Sequence, residues 1–389
     1  MKIYHFEFAK TGLNLSGGEV CLIEIAKFLI AKKIKNIILT TDNGKRTYEE
    51  QGLVEGDFLE YRIIDSFIDE QKNHLFISYI KRTRQALVLI NMLKFADDDV
   101  LFCHSEYFPN FIPFYIAAKS NHKTQLFYWV HTIAPGIFRG YKGQFTKKLY
   151  FPRVNLIHNK LNQVFYRYSA FARGKVVSVN SYYEKSLSVF YPNNQIYIIK
   201  KFGGAKIDIQ KFCKRYDMAW MGRFQDLKNI DGALLILKRL KAKNPHVKML
   251  VMGDGQGGKK KKFLNKCEMY GLKENVDYKG FISGNEKYAY LQQSKIFLVT
   301  SLYESYGLVN LEAMACGLPV IAFDLPVFRV FEKGMIHVPI LDYEKFSDEI
   351  EKIIYNEKNY LKKRQEAIDF SKEFSWSYTG QEILNLINR

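Results

Sequence analysis

The pattern of apolar and polar positions alternates along the chain between short strand-like runs and longer stretches with helical spacing. Ile3–Phe8 is a short apolar run, and Glu19–Lys33 follows it with apolar residues on one helical face. Asn36–Thr41 is then a β-branched run. This alternation predicts βα units around a parallel sheet. The other apolar runs that predict strands in this half are Val100–Cys103, Leu126–Val130 and Lys175–Val179.

The alternation restarts in the second half of the chain. Met218–Met221 predicts a new first strand, and Leu227–Ala242 predicts the helix that follows it. The remaining predicted elements are strands over Val247–Met252, Lys279–Phe281, Ile296–Thr300 and Pro319–Ala322, and a helix over Lys259–Tyr270. We therefore predict two Rossmann-like α/β domains, residues 1–200 and 201–373, with a C-terminal helix in 374–389 that packs back on the first.

Length, hydropathy and cysteine content narrow the class of protein. A chain of 389 residues suits two domains. No stretch approaches the roughly 18–20 consecutive apolar residues that cross a bilayer, and Met1–Phe6 lacks the apolar segment of a signal peptide. The 5 cysteines are scattered without a C-x-x-C pair, which disfavours a disulfide framework or a zinc site. These features predict a cytoplasmic protein.

The net charge of +18 is concentrated in one segment. Tyr107–Tyr183 contains no Asp or Glu but many aromatic residues, and it could face anionic lipid headgroups, bind nucleic acid or simply form a basic surface. We favour an anionic membrane surface as a possible partner and expect no nucleic acid. The cations of this segment are Lys119, Lys123, Arg139, Lys142, Lys147, Lys148, Arg153, Lys160, Arg167, Arg173 and Lys175.

The most informative segment runs from Thr300 to Ala322. A strand is expected to end near Thr300, and a helix to open near Tyr306 or Gly307 and to continue to Cys316. The N-terminus of a helix presents free N–H groups and positive dipole, both of which favour phosphate. We therefore expect the N–H groups at its start to hold a diphosphate; they belong to Gly307, Leu308 and Val309.

Two glutamates flank this helix start. Glu304 precedes it and is expected to accept hydrogen bonds from sugar hydroxyls, while Glu312 would accept them from a ribose. Eight helical residues rise about 12 Å, which suits an extended nucleotide-sugar. Together Glu304 and Glu312 form an E-x7-E element that resembles the retaining GT-B glycosyltransferases of glycosyltransferase family 4. The resemblance covers most of the chain and is clearest from Met218 to Phe328.

This resemblance implies a GT-B fold, in which two Rossmann-like domains face each other across a cleft that holds the donor. It implies transfer of a hexose-type sugar, with retention of configuration, from a nucleoside diphosphate sugar to a hydroxyl of a glycan or lipid-linked acceptor. The expected setting is polysaccharide or glycolipid synthesis, on the inner face of the membrane, without a metal or other cofactor. Further donor residues implied by the resemblance are Arg223 and Lys228 at the phosphates, Ile282 and Lys287 at the nucleobase, and Ser305 and Tyr306 beside the helix.

The first domain contributes a glycine turn and a histidine. Gly17 and Gly18 join the first strand to the first helix and permit close approach of backbone N–H groups to a ligand. The full G-x-G-x-x-G pattern is absent, which disfavours a dinucleotide cofactor. His131 follows a predicted strand and resembles the family's histidine that contacts the transferred sugar. His104 and Glu106 are candidates for acceptor binding, with a purely structural role equally open.

Three other observations bear on the function. Asp97-Asp98-Asp99 contains a D-x-D, but it precedes the strand Val100–Cys103 instead of following one, so a solvated turn is favoured over a metal site. Gly253-Asp254-Gly255 resembles a turn of the family, whereas Asn310 is polar where relatives often have an apolar residue. A phosphorylase or epimerase on the same fold, or a non-catalytic nucleotide-sugar-binding protein, is the alternative. The sugar, the nucleoside, the acceptor and the oligomeric state have no signal in the sequence.

Overall fold

A computed structural model describes residues 1–10, 15–66, 75–131, 133, 153–210, 212–255 and 258–389. The chain forms two compact units, each with its own parallel β-sheet. The first unit is drawn from Met1–Ile137, Arg153–Phe202 and Trp376–Arg389, and the second from Gly203–Ser375. The predicted class, α/β with two parallel sheets, is confirmed.

The sheet of the first unit has seven strands in the order β3-β2-β1-β4-β5-β6-β7, and every neighbouring pair is parallel. The strand order reverses between β1 and β4, so the crevice beyond their carboxyl ends is the place where such a sheet binds ligands. The strands are β1 (Lys2–Glu7), β2 (Lys35–Thr41), β3 (Leu59–Ile64), β4 (Val100–Cys103), β5 (Gln125–Trp129), β6 (Lys175–Ser178) and β7 (Gln195–Ile198).

Helices connect these strands, as expected for parallel pairing. The first helix starts with a capping box, in which the Glu19 carboxylate accepts a hydrogen bond from the Ser16 N–H. Its apolar face, which includes Leu22, Ile25 and Leu29, is fully buried. The described helices are α1 (Gly17–Ala31), α2 (Asp42–Glu50), α3 (Leu75–Met92), α4 (Phe108–Ser120), α5 (Arg153–Ser169) and α6 (Glu184–Phe190).

The second unit repeats this topology with six strands in the order β10-β9-β8-β11-β12-β13. Its switch point lies between β8 and β11. The strands are β8 (Tyr216–Met221), β9 (Met249–Met252), β10 (Val276–Gly280), β11 (Ser294–Val299), β12 (Val320–Phe323) and β13 (Met335–Val338). The helices are α7 (Ile230–Lys243), α8 (Lys259–Met269), α9 (Gly284–Gln292), α10 (Leu308–Ala315), α11 (Tyr343–Ile354) and α12 (Glu357–Ser371).

The last helix, α13 (Trp376–Ile387), belongs to the first unit and packs against α1. Gly380 permits this close approach, because a Cβ at that position would stand 2.3 Å from the Phe28 ring. The end of α13 is tied to the sheet by Gln125 Nε2, which donates to the Ile387 carbonyl at 2.8 Å.

Helix α7 starts later than the apolar pattern predicts. A 3-10 turn over Asp226–Lys228 precedes it, and Asn229 then adopts a left-handed conformation with φ of 52°. The Asn229 side chain accepts a hydrogen bond from the Gly232 N–H at 3.1 Å and thereby caps the helix. This delay of about one turn holds Lys228 outside the helix, at the carboxyl edge of the sheet. Across the described ranges, none of the helices is both long and apolar enough to span a membrane.

Candidate functional site

The loops beyond β8 and β11 meet at the switch point of the second unit. These strands are neighbours at the centre of the sheet, and the 3-10 turn with Lys228 and the loop from Thr300 to Gly307 follow them. The two loops are joined through Thr300, whose hydroxyl donates to the Asn229 carbonyl at 2.8 Å. The indole N–H of Trp220 lies 3.2 Å from the same hydroxyl. The buried Thr300 therefore holds the two loops at a defined separation.

An ion pair of low exposure lies in these loops. Lys228 Nζ contacts Glu304 Oε1, and the two side chains are 24% and 9% exposed. Ser301 Oγ donates a second hydrogen bond to the same carboxylate oxygen at 2.8 Å. Lys228, Ser301 and Glu304 line a small pocket together with Met221 and Val309. A cation and an oriented carboxylate, partly shielded from water, therefore lie beside the start of α10.

Helix α10 is capped at its N-terminus by a glycine that other residues would replace only with strain. Gly307 has φ of 97°, and a Cβ there would stand 2.6 Å from Asn310 Nδ2 and 3.0 Å from the Phe328 ring. The N–H groups of Leu308 and Val309 occupy the first turn and have no acceptor within the helix, so they are available to an anion. Asn310 is fully buried under Gly307, and its amide has no hydrogen-bond partner among the residues described.

A second ion pair connects α9 and α10. Lys287 Nζ lies 2.8 Å from Glu312 Oε1, and the side chains are 16% and 19% exposed. The sequence assigned Lys287 to a nucleobase and Glu312 to a ribose, and the structure places the two in direct contact. Ile282 is half-buried just beyond the end of β10. Ser305 and Tyr306 lie between Glu304 and the helix. Tyr306 is buried against Phe331 with ring centroids 5.7 Å apart, and Ser305 is half-buried.

The loop that follows β8 is hydrogen-bonded to the end of β9, and the loop that follows β9 is hydrogen-bonded to the end of β10. The Gly222 N–H donates to Met252 O at 3.0 Å, and the Gly253 N–H donates to Gly280 O at 2.6 Å. A Cβ on Gly253 would stand 1.9 Å from the Gly222 carbonyl oxygen, so this contact requires glycine. Arg223 is exposed on this loop and has no side-chain hydrogen bond or ion pair within the described part of the chain. Its guanidinium is therefore available to a ligand.

The site of the first unit lies at its own switch point, between β1 and β4. Gly17 and Gly18 are the first two residues of α1, and a Cβ on Gly18 would stand 3.3 Å from His131 Nε2. The other ring nitrogen of His131, Nδ1, lies 3.0 Å from the indole nitrogen of Trp129. Burial lowers the pKa of His131 to about 4, although a hydrogen bond with the His104 backbone and the charge of Glu19 act in the opposite direction. His131 is therefore neutral at neutral pH.

His104 lies in a buried network behind this site. Its Nε2 is 2.8 Å from His5 Nδ1, and His5 Nε2 is 2.9 Å from Asn36 Oδ1. Burial lowers the pKa of His5 to about 4, and burial also holds the pKa of His104 well below its usual value. Glu106 is half-buried near Gln163, and burial raises its pKa. The contact with His5 directs the His104 ring toward the sheet, which favours a structural role for that residue.

The aspartates of the D-x-D sequence are engaged by the chain itself. Asp97 pairs with Lys123 at 2.7 Å, and Asp98 pairs with the amino terminus at 2.6 Å. Asp99 is buried and accepts a hydrogen bond from the Ala96 N–H at 2.9 Å. In the ranges that the structure covers, no group of three or more His, Cys, Asp or Glu side chains is arranged as metal ligands.

Several residues that build the site carried no assignment from the sequence. Ser301 and Thr300 orient Glu304 and the loops, and Trp129 contacts His131, but small polar and aromatic residues are too common for their type alone to be informative. The cap formed by Glu19 on Ser16 was detectable, because S-x-x-E before an apolar helical run is a helix-start signature.

Residues 206–374, from before β8 to the end of α12, match the family model described as Glycosyl transferases group 1. This segment is similar to glycosyl transferases group 1 domains. One curated relative, a D-inositol 3-phosphate glycosyltransferase of Stackebrandtia nassauensis, is 25% identical over 177 residues, which are 43% of this chain and 40% of the relative. The match therefore spans about two fifths of that relative's length.

Solved structures are similar over the whole chain. A mutant of S. aureus TarM, in complex with fondaparinux, alpha-GlcNAc-glycerol and UDP, has a TM-score of 0.76 with 14% identity and covers 100% of both chains. HepE of Anabaena, in complex with UDP-glucose, has a TM-score of 0.71 with 17% identity and covers 100% of this chain and 99% of its own. The chain has the GT-B fold, and the segment that matches the family model contains the Lys228–Glu304 pair and α10.

Proposed function

We propose that the chain is a glycosyltransferase that moves a sugar from a nucleoside diphosphate sugar to an acceptor hydroxyl. The observation that carries this proposal is the grouping of Lys228, Glu304 and the first turn of α10 around one pocket at the switch point of the second unit. A cation and free N–H groups complement a diphosphate, and an oriented carboxylate complements sugar hydroxyls. No part of the grouping requires a redox cofactor.

The proposed chemistry assigns each group a step. Lys228, Arg223 and the N–H groups of α10 stabilise the negative charge that grows on the leaving diphosphate. Glu304 exchanges its contact with Lys228 for a sugar hydroxyl, and Glu312 accepts hydrogen bonds from the ribose. The transferred sugar is proposed to be a hexose and its configuration to be retained, so that the acceptor attacks from the face that the diphosphate leaves. An oxygen of the diphosphate then takes the acceptor proton.

Donor hydrolysis tests the activity itself. We expect slow release of nucleoside diphosphate from one of the common nucleotide-sugars without any acceptor, and the same donor should raise the melting temperature of the protein. A donor that raises the melting temperature but is never cleaved, with or without acceptor, would instead support a non-catalytic binding protein. Release of a sugar phosphate in the presence of inorganic phosphate would support a phosphorylase, and recovery of an isomerised donor an epimerase.

Metal independence is a further part of the proposal. We expect EDTA to leave the rate of sugar transfer within about two-fold of the untreated rate, because cationic side chains and helix N–H groups supply the charge that a metal would otherwise supply. The measurement is nucleoside diphosphate release before and after chelation, with Mn²⁺ or Mg²⁺ added back. Loss of the activity on chelation, together with recovery on metal addition, would contradict it.

The acceptor is proposed to be lipid-linked, with the first unit resting on the inner face of the cell membrane. One face of α5 exposes Leu161, Phe165 and Tyr168, which are 49%, 56% and 80% exposed and lie at helical spacing. Arg167 lies beside them and is also exposed. Another cation of the Tyr107–Tyr183 segment, Arg173, is engaged elsewhere, because it donates to four carbonyl groups. Arg139, Lys142, Lys147 and Lys148 lie outside the described residues.

Liposome co-sedimentation tests this membrane contact. We expect binding to vesicles that contain anionic lipid, weakened by salt, because each cation near such a surface contributes on the order of 1 kcal/mol. Phe165→Glu should reduce binding, whereas Met92→Glu, which changes an apolar residue on α3 that is 69% exposed, should not. Equal partitioning to neutral and anionic vesicles, or no binding at low salt, would remove the membrane from the proposal.

A further inference from the structure

The contact between Trp129 and His131 determines which nitrogen of the histidine carries a proton. An indole N–H only donates hydrogen bonds, and that of Trp129 is directed at His131 Nδ1 at 3.0 Å. Nδ1 must therefore present its lone pair. A neutral imidazole has one N–H, so the proton of His131 lies on Nε2.

We propose that Trp129 is a positioning residue that holds His131 as the neutral Nε2–H tautomer, so that His131 donates a hydrogen bond to the bound ligand and does not act as a proton acceptor. The assignment of the ligand as the transferred sugar rests on the proposed function. The tautomer itself rests only on the geometry of the first unit.

The surroundings hold the indole in place. Trp129 is fully buried on β5, and its ring lies 5.7 Å from the Phe102 ring and 5.9 Å from the Phe202 ring. A packed aromatic ring of this size has few alternative rotamers, so the direction of its N–H is set by the core. The position of the Trp129 N–H group therefore does not depend on whether a ligand is bound.

The nitrogen that carries the proton faces the glycine turn. Nε2 lies 3.3 Å from the position that a Cβ on Gly18 would occupy, at the start of α1 and at the switch point of the sheet. Gly18 thus leaves the space beside the Nε2–H group unfilled by a side chain. Burial of the ring also disfavours the charged form of His131, as its lowered pKa shows. A neutral donor at this point suits a hydroxyl oxygen of an uncharged sugar.

The two tautomers predict different chemistry. With the proton on Nε2, the hydrogen bond between His131 and the His104 backbone uses the Nε2–H group, which a ligand oxygen then shares or takes over, and His131 cannot remove a proton from a hydroxyl. With the proton on Nδ1, the Nε2 lone pair would face the ligand and could act as a general base. The Trp129 contact selects the first arrangement, in agreement with a mechanism in which a diphosphate oxygen accepts the proton.

Nitrogen-15 NMR of the histidine rings of the full chain tests the proposal directly, with the His131 signals assigned by their loss in His131→Asn. We expect Nε2 of the wild-type protein to be protonated and Nδ1 to be unprotonated at neutral pH. In Trp129→Phe, which retains an aromatic ring but loses the N–H, we expect a mixture of the two tautomers. Trp220→Phe makes the same change in the second unit, where the indole N–H contacts Thr300, and should leave the His131 signals unchanged.

Kinetics provides the second readout. Trp129→Phe should reduce kcat for nucleoside diphosphate release by about 10-fold, with KM for the nucleotide-sugar within about two-fold, because the hydrogen bond from His131 orients the sugar as its bond to the diphosphate breaks. A wild-type His131 protonated on Nδ1, or a tautomer that Trp129→Phe leaves unchanged, would overturn the proposal. The expected NMR result in a protein that cleaves no nucleotide-sugar would instead sink only the proposed function.

Discussion

Glu304→Ala and Lys228→Ala should each reduce sugar transfer by about 10²-fold or more. Lys228 is expected to stabilise the leaving diphosphate, and Glu304 to orient the sugar, so that each removal raises the barrier more than it weakens donor binding. The measurement is kcat/KM for transfer or, without a known acceptor, for donor hydrolysis. Removal of either residue also leaves its partner unpaired in a pocket of low exposure, so the melting temperature of each variant is measured in parallel.

Matched control variants distinguish the effect of losing a site residue from the effect of losing a charge. Glu332→Ala and Lys262→Ala remove exposed charges of the same types from the second unit and should leave the rate unchanged. The double variant of Glu304 and Lys228 should lose less activity than the product of the two single losses, because the two side chains contact each other. Near-wild-type turnover of either single variant, correctly folded, would exclude that residue from the chemistry.

Gly253→Ala should destabilise the second unit by on the order of 3 kcal/mol and lower its melting temperature by roughly 6–12 °C. Gly253 has φ of 133°, which L residues rarely adopt, and the new Cβ would stand 1.9 Å from the Gly222 carbonyl oxygen. Neither backbone can move freely, because Gly222 and Gly253 are each hydrogen-bonded to the end of a neighbouring strand. Displacement of Gly222 also moves Arg223, so donor affinity should fall with stability.

Gly271→Ala is the control for the conformational part of this effect. Gly271 also has a positive φ, 65°, but a Cβ there would meet only the end of the Lys241 side chain at 4.0 Å. Its replacement should cost about 1 kcal/mol. If Gly253→Ala proved no more destabilising than Gly271→Ala in thermal or urea unfolding, the contact between the Gly222 and Gly253 loops would not constrain the unit.

Hydrophobic periodicity predicted the positions of buried strands most reliably. The β-branched run Asn36–Thr41 lies within β2, and Val100–Cys103 coincides with β4, because a strand covered on both faces must be apolar throughout. Element ends were less predictable. The helix expected from Leu227 starts at Ile230, since the Asn229 cap and the preceding turn override the apolar pattern. The helix expected near Tyr306 likewise starts at Leu308, after the left-handed Gly307.

The sequence by itself determined the α/β class, the presence of two parallel sheets and the segment with Glu304 and Glu312. Those features follow from local periodicity and from residue spacing along one chain segment. Only the tertiary structure decided which side chains meet: Lys228 with Glu304, and Lys287 with Glu312. Only the tertiary structure likewise shows that the Trp129 indole N–H points at His131. The physical reason is that these residues come from different loops or elements, and the distance between them in space depends on strand order and loop packing. The sequence immediately around each residue determines neither of these.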